Sequence, residues 1–491
     1  MSKPSTFTYA TNPTWLARAC LLTSLIVTAC TPQATQESPT APIRGNGTKV
    51  QVWLTTTDRT KLLSREADVT FTNVAPLSTN IDIDSSKQYQ EMVGFGAAIT
   101  DASAWLMQNK MSEAQRTALL NELFSGAPNL GLSFTRLTIG ASDFSRNHYS
   151  FDDMPKGQTD PTLAHFSIDA NRADVLPIVK SALTLNPKLK VMASPWSAPA
   201  WMKTTDSLVK GSLRPEAYGA FSEYLMRYIE AYTKEGVPIY AITLQNEPHF
   251  EPENYPGMRV DPAARASLIG EHIGPMFAQR GLNTQIFDWD HNWDEPNSPL
   301  AVLADKTANR YVNGVAWHCY AGEVGAQNTV RNAFPNKDVY FTECSGGEWN
   351  QDGLTWLTRN LIIGATRNWA KGVLLWNMAL DENHGPHLGG CGDCRGVVTI
   401  NSTTGEVTRN AEYYVLAHAS RFVRQGAHRI DSSTVKGKVE TVAFQNADDA
   451  SLVMIAANST TVTQAFSVRY AKQTLQYTLP AKSIATFTWQ P

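Results

Sequence analysis

Residues Ile239–Glu247 read IYAITLQNE, and Asp338–Glu343 read DVYFTE. Both are apolar runs of strand length, and both close on a glutamate. Polar, turn-forming residues follow: Pro248-His249 after the first run, Cys344-Ser345-Gly346-Gly347 after the second. Which fold joins the two runs decides whether their carboxylates meet.

Outward from them, further strand-like runs lie at Val93–Ile99, Phe134–Ile139, Leu189–Ala193, Gln285–Trp289, Gly314–Trp317 and Gly372–Trp376. Helical patterns alternate with them, at Glu113–Phe124, Arg172–Thr184, Pro215–Lys234, Pro262–Gln279 and Thr355–Ala370. Eight strands alternating with helices predict a (β/α)8 barrel, spanning 86–410, with its site at the carboxyl ends of the strands. No glycine-rich phosphate loop follows the first strand, which disfavours a dinucleotide fold. After Asn410 the pattern is short alternating runs and few helices: Val439–Phe444, Ala450–Ala456, Val462–Val468, Thr474–Leu479 and Ser483–Trp489. This predicts a β-sandwich over 411–491. The runs near 50–85 (Lys49–Thr56, Asp68–Phe71, Ile81–Ile83) are too few for a sheet of their own. They are expected to complete that sandwich, with the barrel inserted between its parts.

The first thirty residues read as an export leader. Lys3 and Arg18 precede the apolar stretch Ala19–Ala29, which is too short to span a bilayer and ends at Cys30. Val27-Thr28-Ala29-Cys30 resembles a bacterial lipobox, so Cys30 is the expected lipidation site; plain cleavage after Ala29 is the alternative. Thr31 after the cysteine favours the outer membrane, by resemblance to Gram-negative lipoproteins. Residues 31–49, rich in Pro, Thr, Ser and Gln, read as a flexible tether. A net charge of −3 leaves no basic footprint for nucleic acid.

The expected chemistry follows from the strand ends. An acid that protonates a leaving oxygen, facing a carboxylate that attacks a sugar carbon, is the pair a retaining glycosidase needs. Glu247 is the candidate acid/base and Glu343 the candidate nucleophile. Asn246, directly before the acid, suits a sugar 2-hydroxyl. The other strand ends are also polar or aromatic: Thr100-Asp101, Ser142-Asp143-Phe144, Ser194-Pro195-Trp196, His318-Cys319-Tyr320 and Trp376-Asn377. Packing alone does not predict such a ring. Asp101 is the candidate to grip sugar hydroxyls, Trp196 and Trp376 to form walls, and Tyr320 to hydrogen-bond the nucleophile. Carboxyl chemistry of this kind needs neither cofactor nor metal.

Seven motifs carry a resemblance: GFGAAITDASAWL (94–106), RLTIGASDFS (136–145), ASPWSAPAWMKT (193–204), ITLQNEP (242–248), WHCY (317–320), TECSGGEW (342–349) and LLWNMALDENHGP (374–386). Their order resembles glycoside hydrolase family 30, a clan of retaining (β/α)8 enzymes that includes glucosylceramidases. The resemblance implies Glu247 as acid/base and Glu343 as nucleophile. It implies Asp101, Trp196, Asn246, His318, Tyr320 and Trp376 as sugar-binding residues. His387–Gly396 departs from the lysosomal pattern and looks more like members acting on β-1,6-glucan or simple β-glucosides. Glucan or glucosylceramide-like substrates are therefore expected, with β-xyloside or β-fucoside specificity as alternatives.

Cys391-Gly392-Asp393-Cys394 allows a disulfide, a redox pair or half a zinc site; without a second cysteine pair, the disulfide is the favoured reading. Cys319 and Cys344 are expected as buried free thiols. A non-catalytic glycan-binding lipoprotein is the rival from another class, but it has no need of both glutamates. A lipase or metalloprotease lacks its Gly-x-Ser-x-Gly or His-Glu-x-x-His support here.

Overall fold

The computed structural model describes residues 47–350 and 352–491, so the leader, Cys30 and nearly all of the tether lie outside the described residues. Eight parallel strands form the central sheet: β1 (Gly94–Ala97), β2 (Phe134–Ile139), β3 (Lys190–Pro195), β4 (Ile239–Thr243), β5 (Gln285–Asn292), β6 (Val312–His318), β7 (Asp338–Glu343) and β8 (Ala370–Leu375). Neighbours pair in chain order, and β8 pairs back onto β1. Closure comes from β1 and β2: Ile99 N–H bonds Arg136 O at 2.9 Å and Ser133 N–H bonds Phe95 O at 3.2 Å. The sheet is a barrel, as the alternating pattern predicts.

Its bore is filled from below. Phe134, Met192, Ala241, Phe287, Ala316, Tyr340 and Leu374, one from each of β2 to β8, pack as one buried layer. The Phe287 and Tyr340 rings stack with centroids 4.0 Å apart. Period-two alternation along each strand then decides what stands one layer higher, at the carboxyl ends.

The helices cover the outside. Glu113–Phe124 starts at a capping box made by Ser112 and Gln115. Val175–Leu185 and Tyr218–Lys234 follow the predicted positions within a few residues. Pro262–Arg280 carries a π-helical stretch, Leu268–Ile273, where Gly270 lets Thr307 approach too closely for any Cβ. The helix expected over Thr355–Ala370 stops short of its last residues, which turn into β8 where that strand opens at Ala370.

The sandwich draws on both ends of the chain. Lys49–Thr56 pairs antiparallel with Ser483–Trp489, and Asn80–Glu91 pairs with both His428–Ser432 and Gln464–Tyr470. Val50, Val52, Phe71, Ile81 and Ile83 enter the same core as Ile430, Met454, Phe466 and Phe487. One helix interrupts the strand-dominated C-terminal region, Ala411–Ser420, and it packs against both β1 of the barrel and the sandwich strand Ser483–Trp489. Its buried His418 bonds Thr486 Oγ1 at 2.9 Å and Thr55 Oγ1 at 2.8 Å. Burial pushes that imidazole down to about 3, so it stays neutral.

One expectation is overturned. Cys319 and Cys344 are not free thiols but a disulfide, because each follows the last residue of two adjacent parallel strands, β6 and β7. Cys391 and Cys394 form a second disulfide.

Candidate active site

Two residues above the apolar layer stand Arg136, Ser194, Thr243, His318 and Thr342, all buried. Asp290 joins them through an irregularity. Trp289 and Asp290 both have positive φ (78° and 57°), and the β5–β6 register slips opposite them. That bulge turns Asp290 inward where strict alternation would not.

Arg136 organises the group. It is fully buried and donates to Glu343, to Asn246 Oδ1 (2.8 Å), to Asp290 Oδ2 (2.8 Å) and to Ser194 Oγ (3.2 Å). Its guanidinium lies 4.8 Å from the Trp196 ring centroid. Asp290 also accepts from Ser194 (2.8 Å), Thr243 (2.7 Å) and Thr342 (2.7 Å). Against the burial that would raise it, the Arg136 charge and the His318 bond hold Asp290 well below the ordinary carboxylate range.

His318 bridges the two halves of the site. One ring nitrogen is 3.0 Å from Asp290 Oδ1 and the other 3.0 Å from Glu247 Oε1. Against burial, the Glu343 charge and the bonds to Asp290 and Glu247 lift it to about 9, so it is protonated at neutral pH. It has no ring atom left for a sugar. The resemblance implied a sugar contact; here His318 orients carboxylates instead.

Glu247 follows β4 with φ 48°, a strained conformation of the kind that collects at functional sites. Glu343 ends β7, and Tyr320 donates its hydroxyl to Glu343 Oε1 at 2.9 Å. One carboxylate oxygen of Glu247 and one of Glu343 lie within 4.8 Å of each other and of a His318 nitrogen. Such a cluster can also bind a metal, but its donors are committed: Glu343 to Arg136 and Tyr320, Glu247 to protonated His318. Two cations already face these oxygens.

The two carboxyls titrate as a pair. Burial and the Glu247 charge push Glu343 up, while against burial the His318 bond draws Glu247 down. Glu343, Arg136, Asp290, His318 and Glu247 thus form one hydrogen-bonded chain.

A cavity of about 600 Å³ opens above them, lined by Asn246, Trp196, Trp376, Tyr320 and both glutamates. Trp196 and Trp376 stack on each other, centroids 5.0 Å apart. Arg136 fixes the Asn246 amide by its oxygen, leaving the NH2 end for a ligand. Cys391 and Cys394 form part of the rim, tied to the loop after β7 by a short ladder between Cys394–Arg395 and Gly346–Gly347.

Asp101 is not brought to the cavity. Its two oxygens are held by Arg146, through Nε (2.9 Å), a second guanidinium nitrogen (3.1 Å) and the backbone N–H (3.1 Å). Asp143 stands there instead, with one buried oxygen that has no partner among the described residues. Burial, then the charges of Glu343 and Glu247, push its carboxyl up to about 8, making it a neutral donor at pH 7. Gly390 (φ 70°) rests on Asp143, where a Cβ would lie 2.5 Å from the Asp143 Cβ. His291 also lines the cavity, 4.0 Å from Glu247, with burial pushing it down to about 4. Arg136, Asp290 and His291 went unmarked in the sequence, although a charge inside the apolar run FTRLTI is a visible signal for the first.

Comparison with known proteins agrees with this geometry. The glycosyl hydrolase family 30 TIM-barrel model matches residues 92–423, and the family's β-sandwich model matches 426–487. An endo-1,6-β-D-glucanase of Neurospora crassa is 36% identical, covering 77% of this chain and 81% of its own. The lysosomal acid glucosylceramidase of Mus musculus is 26% identical, covering 84% and 83%. The solved structure of the endo-β1,6-glucanase BT3312 superposes with TM-score 0.83 at 34% identity, covering 90% of this chain and 99% of that one. With both domains matched in order over a site of two facing glutamates, the chain belongs to glycoside hydrolase family 30.

Proposed function

We propose that Glu343 is the nucleophile and Glu247 the acid/base of a retaining hydrolase acting on β-1,6-linked glucan. The observation that carries the mechanism is the approach of the two carboxylates to within 4.8 Å. Retaining enzymes hold theirs about 5–5.5 Å apart, whereas inverting ones leave roughly 6.5–9.5 Å for a water. In the first step Glu343 bonds to the anomeric carbon as the glycosidic C–O bond breaks, and the proton of Glu247 goes to the departing oxygen. In the second, Glu247 takes a proton from water, the water oxygen bonds to the anomeric carbon, and Glu343 is released. Arg136 and Tyr320 hold Glu343 as the attacking anion. His318 supplies the proton that Glu247 hands to the departing oxygen, and it takes that proton back once Glu247 has drawn one from water, so Glu247 is ionised and free to act as base in the second step.

The rim supports a polymeric substrate. Phe250, Tyr320 and Trp349 line the cavity yet are 47%, 46% and 53% exposed. Exposed rings around a mouth gain little by packing and suit stacking on successive sugar faces. The β-1,6-glucanase names of several relatives support the same linkage. The test is product release from linear β-1,6-glucan beside glucosylceramide and aryl β-glucoside, xyloside and fucoside. Faster turnover of the ceramide, xyloside or fucoside than of the glucan overturns the substrate assignment.

Export and lipid anchoring at Cys30 belong to the same proposal, placing the enzyme at a bacterial outer membrane. Two disulfides fit an oxidising compartment, and Val27–Cys30 fits lipoprotein processing. Metabolic labelling with a fatty acid, lost on Cys30→Ala, is the check; a protein that stays unlabelled contradicts anchoring.

A further inference from the structure

Glu343 is the last residue of β7 and His318 the last of β6; Cys344 and Cys319 come directly after them and are bonded to each other. The pairing of β6 with β7 runs in register from Gly314↔Asp338 to Trp317↔Phe341 and then slips, so that His318 faces Glu343. Thr342 is the extra residue, and the slip has a use. It lets Thr342 reach Asp290 Oδ1 (2.7 Å) while the next residue, Glu343, still points into the cavity. A slip also loosens the ladder at the very place that carries the carboxylate.

Tyr320 is weakly held by anything else. The residue is 46% exposed, its ring meets His318 edge-on with centroids 6.1 Å apart, and its backbone N–H bonds the Asn292 side chain (3.0 Å) rather than β7. Only its hydroxyl reaches β7, donating to Glu343 Oε1 and accepting from Ser345 N–H at 3.1 Å. Cys319 precedes Tyr320 and Cys344 follows Glu343, so the disulfide spans the two residues whose contact matters.

We propose that the Cys319–Cys344 cross-link is a positioning element that ties β6 to β7 just past the slipped last pair, where the ladder stops, and keeps the Tyr320 hydroxyl on Glu343. This rests on Glu343 being the nucleophile. Its role is separable from simple stabilisation. Any cross-link over a sequence separation of 25 residues restrains the unfolded chain, so losing it lowers stability whatever else it does. Misplacing a reacting group is different, since it slows the chemical step without weakening grip on the rest of the sugar.

The test is a double-mutant cycle on an aryl β-glucoside, well below every variant's melting temperature. It compares wild type, Cys319→Ser/Cys344→Ser, Tyr320→Phe and the triple variant, with Glu343→Gln alongside. The expected result is a kcat lowered at least about tenfold in the cysteine variant with KM within about twofold. Tyr320→Phe should then cost much less in the cross-link-free background than in wild type. A cysteine variant with wild-type kcat, or fully additive penalties, overturns the proposal while leaving the nucleophile assignment intact. A Glu343→Gln protein that stays active overturns both. If the cysteine variant does not fold, partial reduction of the wild type, with mass spectrometry identifying the opened pair, gives the same comparison. Full turnover by molecules opened at 319–344 contradicts the proposal, and slowed turnover supports it.

Discussion

The two layers of the barrel bore come from the same strands, two residues apart, and they differ in kind. Phe134 lies beneath Arg136, Met192 beneath Ser194, Ala241 beneath Thr243, Ala316 beneath His318, Tyr340 beneath Thr342 and Leu374 beneath Trp376. Apart from the hydrogen bond of 2.8 Å between the Tyr340 and Tyr240 hydroxyls, the lower layer gains by burial and tolerates well-shaped apolar substitutes. The upper layer buries two cations and several carboxyls, an arrangement that rarely improves stability over an apolar one. It persists because it holds charge in fixed places for chemistry. Stability and function are thus stacked along one axis, and the comparison can be broken at either layer.

The largest expected effect is at the top. Glu343→Gln should lower turnover of every glycoside by roughly 10³-fold or more, as loss of a group acting within a catalytic unit does. Steady-state rates on aryl glucosides, with contaminating activity removed, are the measurement. Arg136→Met should strike both properties, because it strands Asp290 and Glu343 without their cation. Breaking a buried pair this way costs about 3–5 kcal/mol, read by urea unfolding. Phe287→Ala, in the lower layer, should cost a comparable 3–5 kcal/mol or so through the cavity it leaves. Its kcat per folded molecule should stay within about twofold. A large loss of kcat there would end the separation of the two layers.

pH sharpens the contrast between the mouth and the seam with the sandwich. His318 is raised from 6.5 to about 9 in the folded state, so its contribution is present below 6.5 and lost as pH climbs through about 9. His418 is lowered from 6.5 to about 3, so the unfolded chain takes up its proton first and stability is lost as pH falls from 6.5 through about 3. Melting temperatures across pH should fall on both sides, and His418→Gln should flatten only the acid limb. The smallest effect concerns Asp143. As pH passes about 8 its carboxyl ionises beside two glutamates, so KM should rise in wild type but not in Asp143→Asn.

Much of this was legible in the chain. A glutamate just past β4 and another at the end of β7, the barrel count, and the joining of the first strands to the last all follow from period and composition. What escaped depends on departures from regular pairing. Asp290 faces inward only because of a bulge at Trp289, which no alternation rule anticipates. Asp101 and Asp143 both follow strands, and only the position of Arg146 decides that the first is consumed and the second is free. The Cys319–Cys344 bond needed the knowledge that β6 and β7 end level with each other.

The most direct test of the account is covalent trapping with a 2-deoxy-2-fluoro-β-glucoside bearing an activated leaving group, followed by peptide mapping. The account predicts time-dependent inactivation and a single fluoroglucosyl label on the peptide carrying Glu343, absent in Glu343→Gln. A label on another residue, or turnover with inversion and no label, would contradict it.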